Sequence, residues 1–497
     1  MMVGETTDGV ELAWLLAGLV AAPRVAVRDL TLDSREVRPG DAFLALAGRN
    51  THGLDHVDEA MTRGATAVLW DPTEGHPLPP LSPAVTAVAV PRLRPELGDL
   101  ADRFYGEPSA DLEVAGVTGT NGKTTCAWLY AMCRGESGAY LGTLGRGRPP
   151  ALSPTRHTTM DAVSLHRALR ALLDAGARHV AIEVSSHALD QDRVAGVRLP
   201  LVGFTNLTRD HLDYHGTMAS YAAAKERLLH AADVRHAVVN VGDPFGAELA
   251  TRLPRGVELT RVAARGAPPP DGRHVVATRV ACHASGLELE GVTHAGRFRL
   301  RSPLVGTFNA ENLLLVLGLL LAAEMPLPAS LAALTAAPPP PGRMETFSLG
   351  AAGATLVVDY AHTPDALAQA LAALRGHARG TLWCVFGCGG ERDPGKRPLM
   401  AAAAEAGADR LVVTDDNPRG EDPDRIVAMI TAALSGRVPA HVERDRETAI
   451  RGATAAARAG DVILIAGKGH EDYQIYGHER RAYSDREVAR ALREAAG

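Results

Sequence analysis

A chain of 497 residues is too long for one ordinary hydrophobic core and implies two to four domains. It is 46% apolar and 22% charged, the balance of a soluble globular protein, and its net charge of −6 excludes a global basic field for nucleic acid or an anionic membrane. Any anionic substrate must therefore meet positive charge that is concentrated locally.

The first apolar stretch, ELAWLLAGLVAA from Glu11, has no basic region before it and predicts an amphipathic helix rather than a signal peptide. Up to about residue 90 the chain reads as short strands with intervening helices, as in DAFLALAG and ATAVLWDP. The segments GHPLPPLSP and VPRLRPEL then mark a loop and a boundary region. From about residue 112, strand, turn and helix alternate. LEVAGVT runs into a glycine turn, and HVAIEVSS, LVGFTNL and HAVVNVGD are apolar runs separated by helical stretches, which predicts a mostly parallel sheet flanked by helices. The apolar run from Leu313 stops at Glu324, too soon to span a bilayer. APPPPGRME, residues 337–345, cannot continue a helix or supply sheet donors and suits a stiff hinge. ATLVVDYAH, TLWCVFGCGG, RLVVTDDNP and DVILIAGKGH then predict a doubly wound sheet, with ligands beyond the carboxyl ends of its strands.

Cys126, Cys133, Cys282, Cys384 and Cys388 are odd in number and scattered. Cys384 and Cys388 lack the second pair that a zinc site needs, so buried reduced thiols and a cytoplasmic location are expected.

GTNGKTT, residues 119–125, follows the strand LEVAGVT. Gly119 and Gly122 let backbone amides approach phosphate oxygens, and the following helix adds its positive end. Lys123 suits the β and γ phosphates, and Thr124 offers a hydroxyl to Mg2+. The usual spelling wants a further glycine where this chain has Val117; the turn is a shortened variant. Glu183 ends an apolar strand, where a carboxylate is costly without a counter-charge that a metal would supply. Taken alone, His211 reads as a loop histidine and Lys225 as a solvated helix residue.

Together GTNGKTT, EVSSHALDQDRV, TNLTRDHLDYHGT, YAAAK, GTFNAENLL, GRME, DYAHTPDAL, FGCGGERDPGKRPLM, TDDNPRGEDP and AGKGHEDYQ resemble the Mur ligases, in order from about residue 30 to 487. The resemblance implies a three-domain α/β ligase. A small UDP-binding α/β domain (1–91) would precede a central P-loop-type ATPase domain with a mostly parallel sheet (92–341) and a Rossmann-like amino-acid domain (342–497). It implies a monomeric enzyme of peptidoglycan synthesis, with no membrane span and no nucleic-acid partner. ATP would activate the D-Glu carboxylate of UDP-MurNAc-L-Ala-D-Glu as an acyl phosphate, which the amine of the third residue attacks.

By the same resemblance Lys123, Glu183, His211 and Lys225 carry catalysis. Thr124 and Glu183 match ligands of one Mg2+, Glu183 and His211 those of a second, with Lys225 nearby and carbamylated by CO2, which turns a cation into an anionic oxygen ligand. Gly119, Thr120, Asn121, Gly122, Lys123, Thr124 and Thr125, with Asn309, Arg343, Asp359 and His362, match ATP contacts, and Asp359 is the implied ribose partner. Leu32, Ser34, Arg49, Asn50 and Thr51 match uracil and diphosphate contacts. His157, Thr158, Thr159, Ser185, Gln191 and Arg193 match the muramoyl dipeptide positions, although the family commonly has Asn where His157 stands. The helix after the phosphate turn looks about one turn shorter than usual. DNPR, from Asp416 through Asn417 and Pro418 to Arg419, resembles the version that takes diaminopimelate. A guanidinium can hold the extra carboxylate that lysine lacks. Arg392, Gly467 and Glu471 match the other contacts, with Glu471 suited to the distal ammonium and meso-diaminopimelate the expected isomer. A lysine-adding or folylpolyglutamate synthase-like ligase, or a non-catalytic nucleotide-binding regulator, is the alternative.

Overall fold

The structure, a computed structural model, describes residues 5–6, 9–48, 51–269, 271–283, 286–350 and 353–496. Near the N-terminus, Leu30–Thr31, Ala42–Ala45, Ala67–Trp70 and Thr86–Ala89 form a parallel four-stranded sheet in that order. Alternate side chains serve opposite faces, as strand geometry requires. Leu44, Leu69 and Val88 pack with Leu93, Leu97 and Phe104 of the helix Leu93–Phe104, whereas Phe43 and Val68 pack with Val57 and Ala60 of the helix Val57–Thr62.

The amphipathic helix expected over residues 11–22 is corrected to a single turn, Leu12–Leu15. Glu11 is extended and pairs with Ala26, and Gly18 stands at φ +89°, a left-handed conformation that breaks helical continuity.

Among the described residues the central sheet has eleven strands. The strand Glu113–Thr118 lies at its middle, between His179–Glu183 and Leu201–Phe204, both parallel to it. Further out, Gly138–Gly142 on one side and His236–Asn240, Glu258–Ala263 and Arg273–His283 on the other keep the parallel sense. Both edges then turn antiparallel, through Gly145–Arg148 and Ala151–Ser153 at one and Gly286–Thr293 and Gly296–Ser302 at the other. The apolar run at Leu313 belongs to the helix Phe308–Ala322, which is buried against the sheet beside the helix Lys123–Cys133 and under the helix Leu327–Ala336. That burial explains why it is apolar on every side. Among the described residues no helix is long and apolar enough to cross a membrane.

The last sheet has the order Glu345–Ser348, Thr355–Asp359, Val462–Ala466, Leu382–Phe386, Arg410–Val413, Ala440–Val442, antiparallel only at its first pair. Helices cover both faces, through Leu367 and Leu371 on one and Ile450 and Val488 on the other. All five cysteines are free thiols; Cys282 is half-buried and the others are buried. His377 joins this last part to the central one, and the linker between them is held on both sides. The Trp128 indole donates to Pro338 O at 3.1 Å. His377 accepts from Gly306 N–H at Nε2 (2.9 Å), while its Nδ1 donates to His283 O (2.7 Å). At Gly342 and Gly469 the main chains touch so closely that a Cβ on either would fall on the other's backbone.

Candidate active site

The phosphate turn joins the strand Glu113–Thr118 to the helix Lys123–Cys133. Val117, at the place of the missing glycine, is still in the strand, fully buried and paired in register with Glu183. The turn thus begins at Gly119, whose φ of +143° and contact with the Thr205 hydroxyl leave no room for a side chain. Lys123 Nζ donates to two carbonyls of its own turn, Gly119 O at 2.9 Å and Thr120 O at 2.7 Å. Desolvation lowers its pKa, opposed by the negative charges of Glu183 and Asp210 and reinforced by Arg343.

Asn309 is buried behind the turn and spends its side chain on Val305 O (2.7 Å) and on Asn312 (2.8 Å). Asn312 is the residue that lies against Gly122 and Cys126. Sequence reasoning passed over it, although an asparagine one helical turn beyond another shares its face.

Glu183 is 1% exposed and accepts hydrogen bonds from Thr124 Oγ1 (2.8 Å), Thr143 N (2.9 Å), Thr143 Oγ1 (3.3 Å) and the Tyr140 hydroxyl. Neutral donors therefore meet the cost of burying this carboxylate, and among the described residues no cationic side chain forms an ion pair with it. The Thr124 hydroxyl beside a carboxylate is a pair of hard oxygen donors and fits Mg2+.

Lys225, on the helix Met218–Glu226, is also 1% exposed. Its Nζ donates to Gly119 O at 2.7 Å and lies 4.5 Å from the centre of the Tyr221 ring. No carboxylate among the described residues is within ion-pair distance of it. Burial pushes its pKa well below the usual lysine range, and the positive charge of Lys123 pushes it further. Lys123 and Lys225 thus share the carbonyl of Gly119, and Thr124 and Glu183 are joined to each other at the start of the helix Lys123–Cys133.

His211 is not hydrogen-bonded to that group. It is half-exposed, at φ +52°, 3.5 Å from Asp210 and edge-on to the His187 ring. His187 and His215 were missed by sequence reasoning. His187 packs against Tyr214 and has its pKa lowered to about 4 by burial and by His211 and His215, and His215 Nε2 meets Ser186 Oγ at 2.9 Å. Among the described residues no cluster of three His, Cys, Asp or Glu side chains is assembled to hold a metal ion.

Between the N-terminal part and the central sheet lies a cleft of about 990 Å3, lined by Leu32, Ser34, Thr51, His157, Gln191 and Arg193 among others. Arg49 and Asn50 lie outside the described residues. Ser34 Oγ donates to Glu59 at 2.6 Å. Thr158 meets Thr143 at 3.0 Å, which links the cleft to Glu183. Thr159 donates to Glu183 O (2.7 Å) and accepts from Ser185 N (3.1 Å), and Arg193 donates to Thr159 O (2.9 Å). Burial lowers the pKa of His157, with Arg193 and Arg156 acting in the same direction. Arg156 closes one rim with ion pairs to Asp33 (2.8 Å) and Glu36 (3.2 Å).

Past the hinge, Arg343 lies over the Tyr360 ring at 4.7 Å. Asp359 accepts from Met344 N (2.9 Å) and Ala361 N (3.0 Å); burial raises its pKa against the pull of Arg343. His362 Nδ1 donates to Tyr360 O at 2.8 Å, and its backbone carbonyl accepts from Lys396. Beyond Arg410–Val413, Arg419 stands at φ +54°, pinned by Arg419 N to Ile475 O and by its guanidinium to Gly390 O, both at 2.9 Å. No carboxylate among the described residues forms an ion pair with it. Pro418 carries the turn between Asn417 and Arg419, its carbonyl accepting from Glu421 N at 3.2 Å. Asp416 and Asn417 are buried, Asn417 donates to Glu471 at 3.1 Å, and Arg392 is exposed. Gly467 (φ +117°) donates to Asp359 O and precedes Lys468, a wholly buried lysine that sequence reasoning did not select. Its signal was a lone cation between glycines after a fully apolar strand.

The family model for the Mur ligase family, catalytic domain, matches residues 27–105; the Mur ligase middle domain matches 117–320 and the Mur ligase glutamate ligase domain 342–469. The chain is 48% identical over 485 residues to the UDP-N-acetylmuramoyl-L-alanyl-D-glutamate–2,6-diaminopimelate ligase of Xylella fastidiosa (strain 9a5c), covering 97% of each. It is 49% identical over 483 residues to the enzyme of the same name from Xanthomonas campestris pv. campestris (strain 8004), covering 96% of each. A solved structure of a ligase with that name superposes with a TM-score of 0.71 at 34% identity, over 98% of this chain and 99% of that one.

Proposed function

The chain belongs to the Mur ligase family, and from that premise we propose that it adds diaminopimelate to UDP-MurNAc-L-Ala-D-Glu with ATP, in peptidoglycan synthesis. A carboxylate oxygen of the D-Glu side chain attacks the γ-phosphorus, the bond to ADP breaks, and an acyl phosphate forms. The diaminopimelate amine then attacks the acyl carbon, phosphate leaves with the bonding pair, and the amine gives up a proton. The obstacle is the approach of one anion to another.

Lys123 serves that approach by exchanging its two carbonyl partners for phosphate oxygens. The amides of Gly119 to Thr125 and the helix end add fixed positive potential there. Thr124 and Glu183 would hold Mg2+, which would supply neutralisation of phosphate charge. Asn309, Arg343, Asp359 and His362 are assigned to ATP. The cleft residues, with Arg49 and Asn50, are assigned to the nucleotide-linked dipeptide. We assign Lys225 to carbamylation. Its burial beside Lys123, without an acidic ion-pair partner among the described residues, favours the neutral amine that adds to CO2 with loss of a proton, and the product would supply an oxygen with which Glu183 and His211 would hold a second Mg2+. The division at residues 91 and 341, a monomeric state and a cytoplasmic location complete the reading.

The choice of diaminopimelate rests on one observation: a positioned guanidinium at Arg419 with no carboxylate partner among the described residues. ADP release should require the muramoyl dipeptide and diaminopimelate together. A panel of meso- and LL-diaminopimelate and L-lysine tests the choice, and turnover with L-lysine equal to that with meso-diaminopimelate defeats it.

A further inference from the structure

Lys468 follows the buried strand Val462–Ala466 in a turn whose flanking glycines have φ +117° and +53°. Its side chain is 0% exposed. Nζ donates to Asn417 Oδ1 at 3.0 Å and faces Asp416 Oδ1 at 3.3 Å and Glu471 Oε2 at 3.4 Å. Asn417 in turn donates to the same Glu471 oxygen at 3.1 Å and accepts from Ile475 N at 3.0 Å. One ammonium, with three protons to give, therefore touches three of the polar side chains assigned to the incoming amino acid, Asp416, Asn417 and Glu471. None of its donors is left for a ligand.

The charges sharpen this. Asp416 and Glu471 bring two negative charges and Lys468 one positive, which leaves a single negative charge in a buried pocket. Arg419 stands beyond it with its own charge unpaired by any carboxylate among the described residues. That division suits one ammonium and one carboxylate, the two charged groups at an amino-acid terminus. We propose that Lys468 is a positioning residue of the diaminopimelate pocket: it fixes Asn417 and Glu471 in their binding arrangement before the substrate arrives. The inference rests on the reading of the site given above.

The test is a double-mutant cycle on the full chain, with ADP release as readout. Lys468→Met should raise KM for diaminopimelate at least about tenfold and leave KM for ATP and for the muramoyl dipeptide within about twofold. If Lys468 acts through Glu471, the same substitution made on Glu471→Gln should add less than about threefold. An equal rise in all three KM values, an unchanged diaminopimelate KM, or fully multiplicative effects in the cycle would overturn the proposal. Should Lys468→Met not fold, Lys468→Gln, which keeps a donor for Asn417, carries the cycle; loss of folding in both assigns the ammonium to stability alone and overturns it too. A wild-type chain that releases no ADP with diaminopimelate removes the reading of the site itself, an outcome distinct from any of these ratios.

Discussion

Two buried lysines stand at the carboxyl ends of the two large sheets, and their surroundings are opposite. Lys225 has a backbone carbonyl, an aromatic face and a second lysine for company. Lys468 has two carboxylates and an amide. Burial alone penalises the charge of both. What differs is compensation: without a carboxylate the amine is driven toward its neutral, nucleophilic form, while with two carboxylates and an amide in contact it is an anchor on which other side chains are hung. On the proposed reading, equal burial gives a reactive group in one region and a scaffold in the other.

The comparison can be broken most forcefully where compensation is complete. Arg446 and Asp485 are both 0% exposed and joined by two hydrogen bonds of 2.8 Å, and Arg446 also holds Ala466 O, just before the Lys468 turn. Asp485→Ala should cost about 3–5 kcal/mol of stability, read as a fall in Tm and in the denaturant midpoint.

Next comes the uncompensated lysine. Lys225→Ala should lower kcat by roughly 10²–10³, or about 2.7–4 kcal/mol, the scale of losing one preorganised charged group, and formate should restore part of it. A variant that turns over like wild type refutes the carbamate. The sign of the pH effect follows from the lowered pKa. The depressed pKa raises the neutral fraction of the amine relative to an ordinary lysine, and that fraction grows with pH, so enzyme stripped of CO2 should regain activity with bicarbonate faster as pH rises. An exposed lysine at pH 7 is neutral in only about four molecules in ten thousand.

Arg419→Ala should raise KM for diaminopimelate by an amount worth about 1.5–3 kcal/mol, the range for hydrogen bonds to a charged group, with KM for ATP nearly unmoved. Equal effects on both substrates refute the carboxylate clamp. The smallest effect is expected at Arg156, whose ion pairs to Asp33 and Glu36 are exposed at the arginine end. Arg156→Ala should change stability or muramoyl dipeptide affinity by only about 0.2–1 kcal/mol, and less at high salt.

Much of this arrangement was readable in the sequence because polar turns follow short apolar runs. Glu183, the turn after Phe204, Asp359, Asp416 and Gly467 all stand at strand ends, as the alternation predicts. The hairpin of Gly286–Thr293 and Gly296–Ser302 lies outside the expected parallel alternation, although GRFRLRS alternates with period two, as a half-buried edge strand does. ELAWLLAGLVAA misled because hydrophobicity alone does not separate a helix from a single turn packed beside a strand. Within the site, motif matching selected Asn309 and Glu471 but not Asn312 and Lys468. The latter two act on neighbours in space, and nothing in linear order reports that Lys468 reaches across to Asn417.

The main-chain contact between Gly342 and Gly469 has a consequence of its own. Every missense change at a glycine codon adds at least one carbon, and at either position that carbon is a wedge between the linker and the segment bearing Lys468. In a saturation scan, residues 342 and 469 should tolerate replacement as poorly as Gly119, although neither is assigned to a ligand. Their intolerance would show as weakened amino-acid affinity rather than as lost ATP affinity.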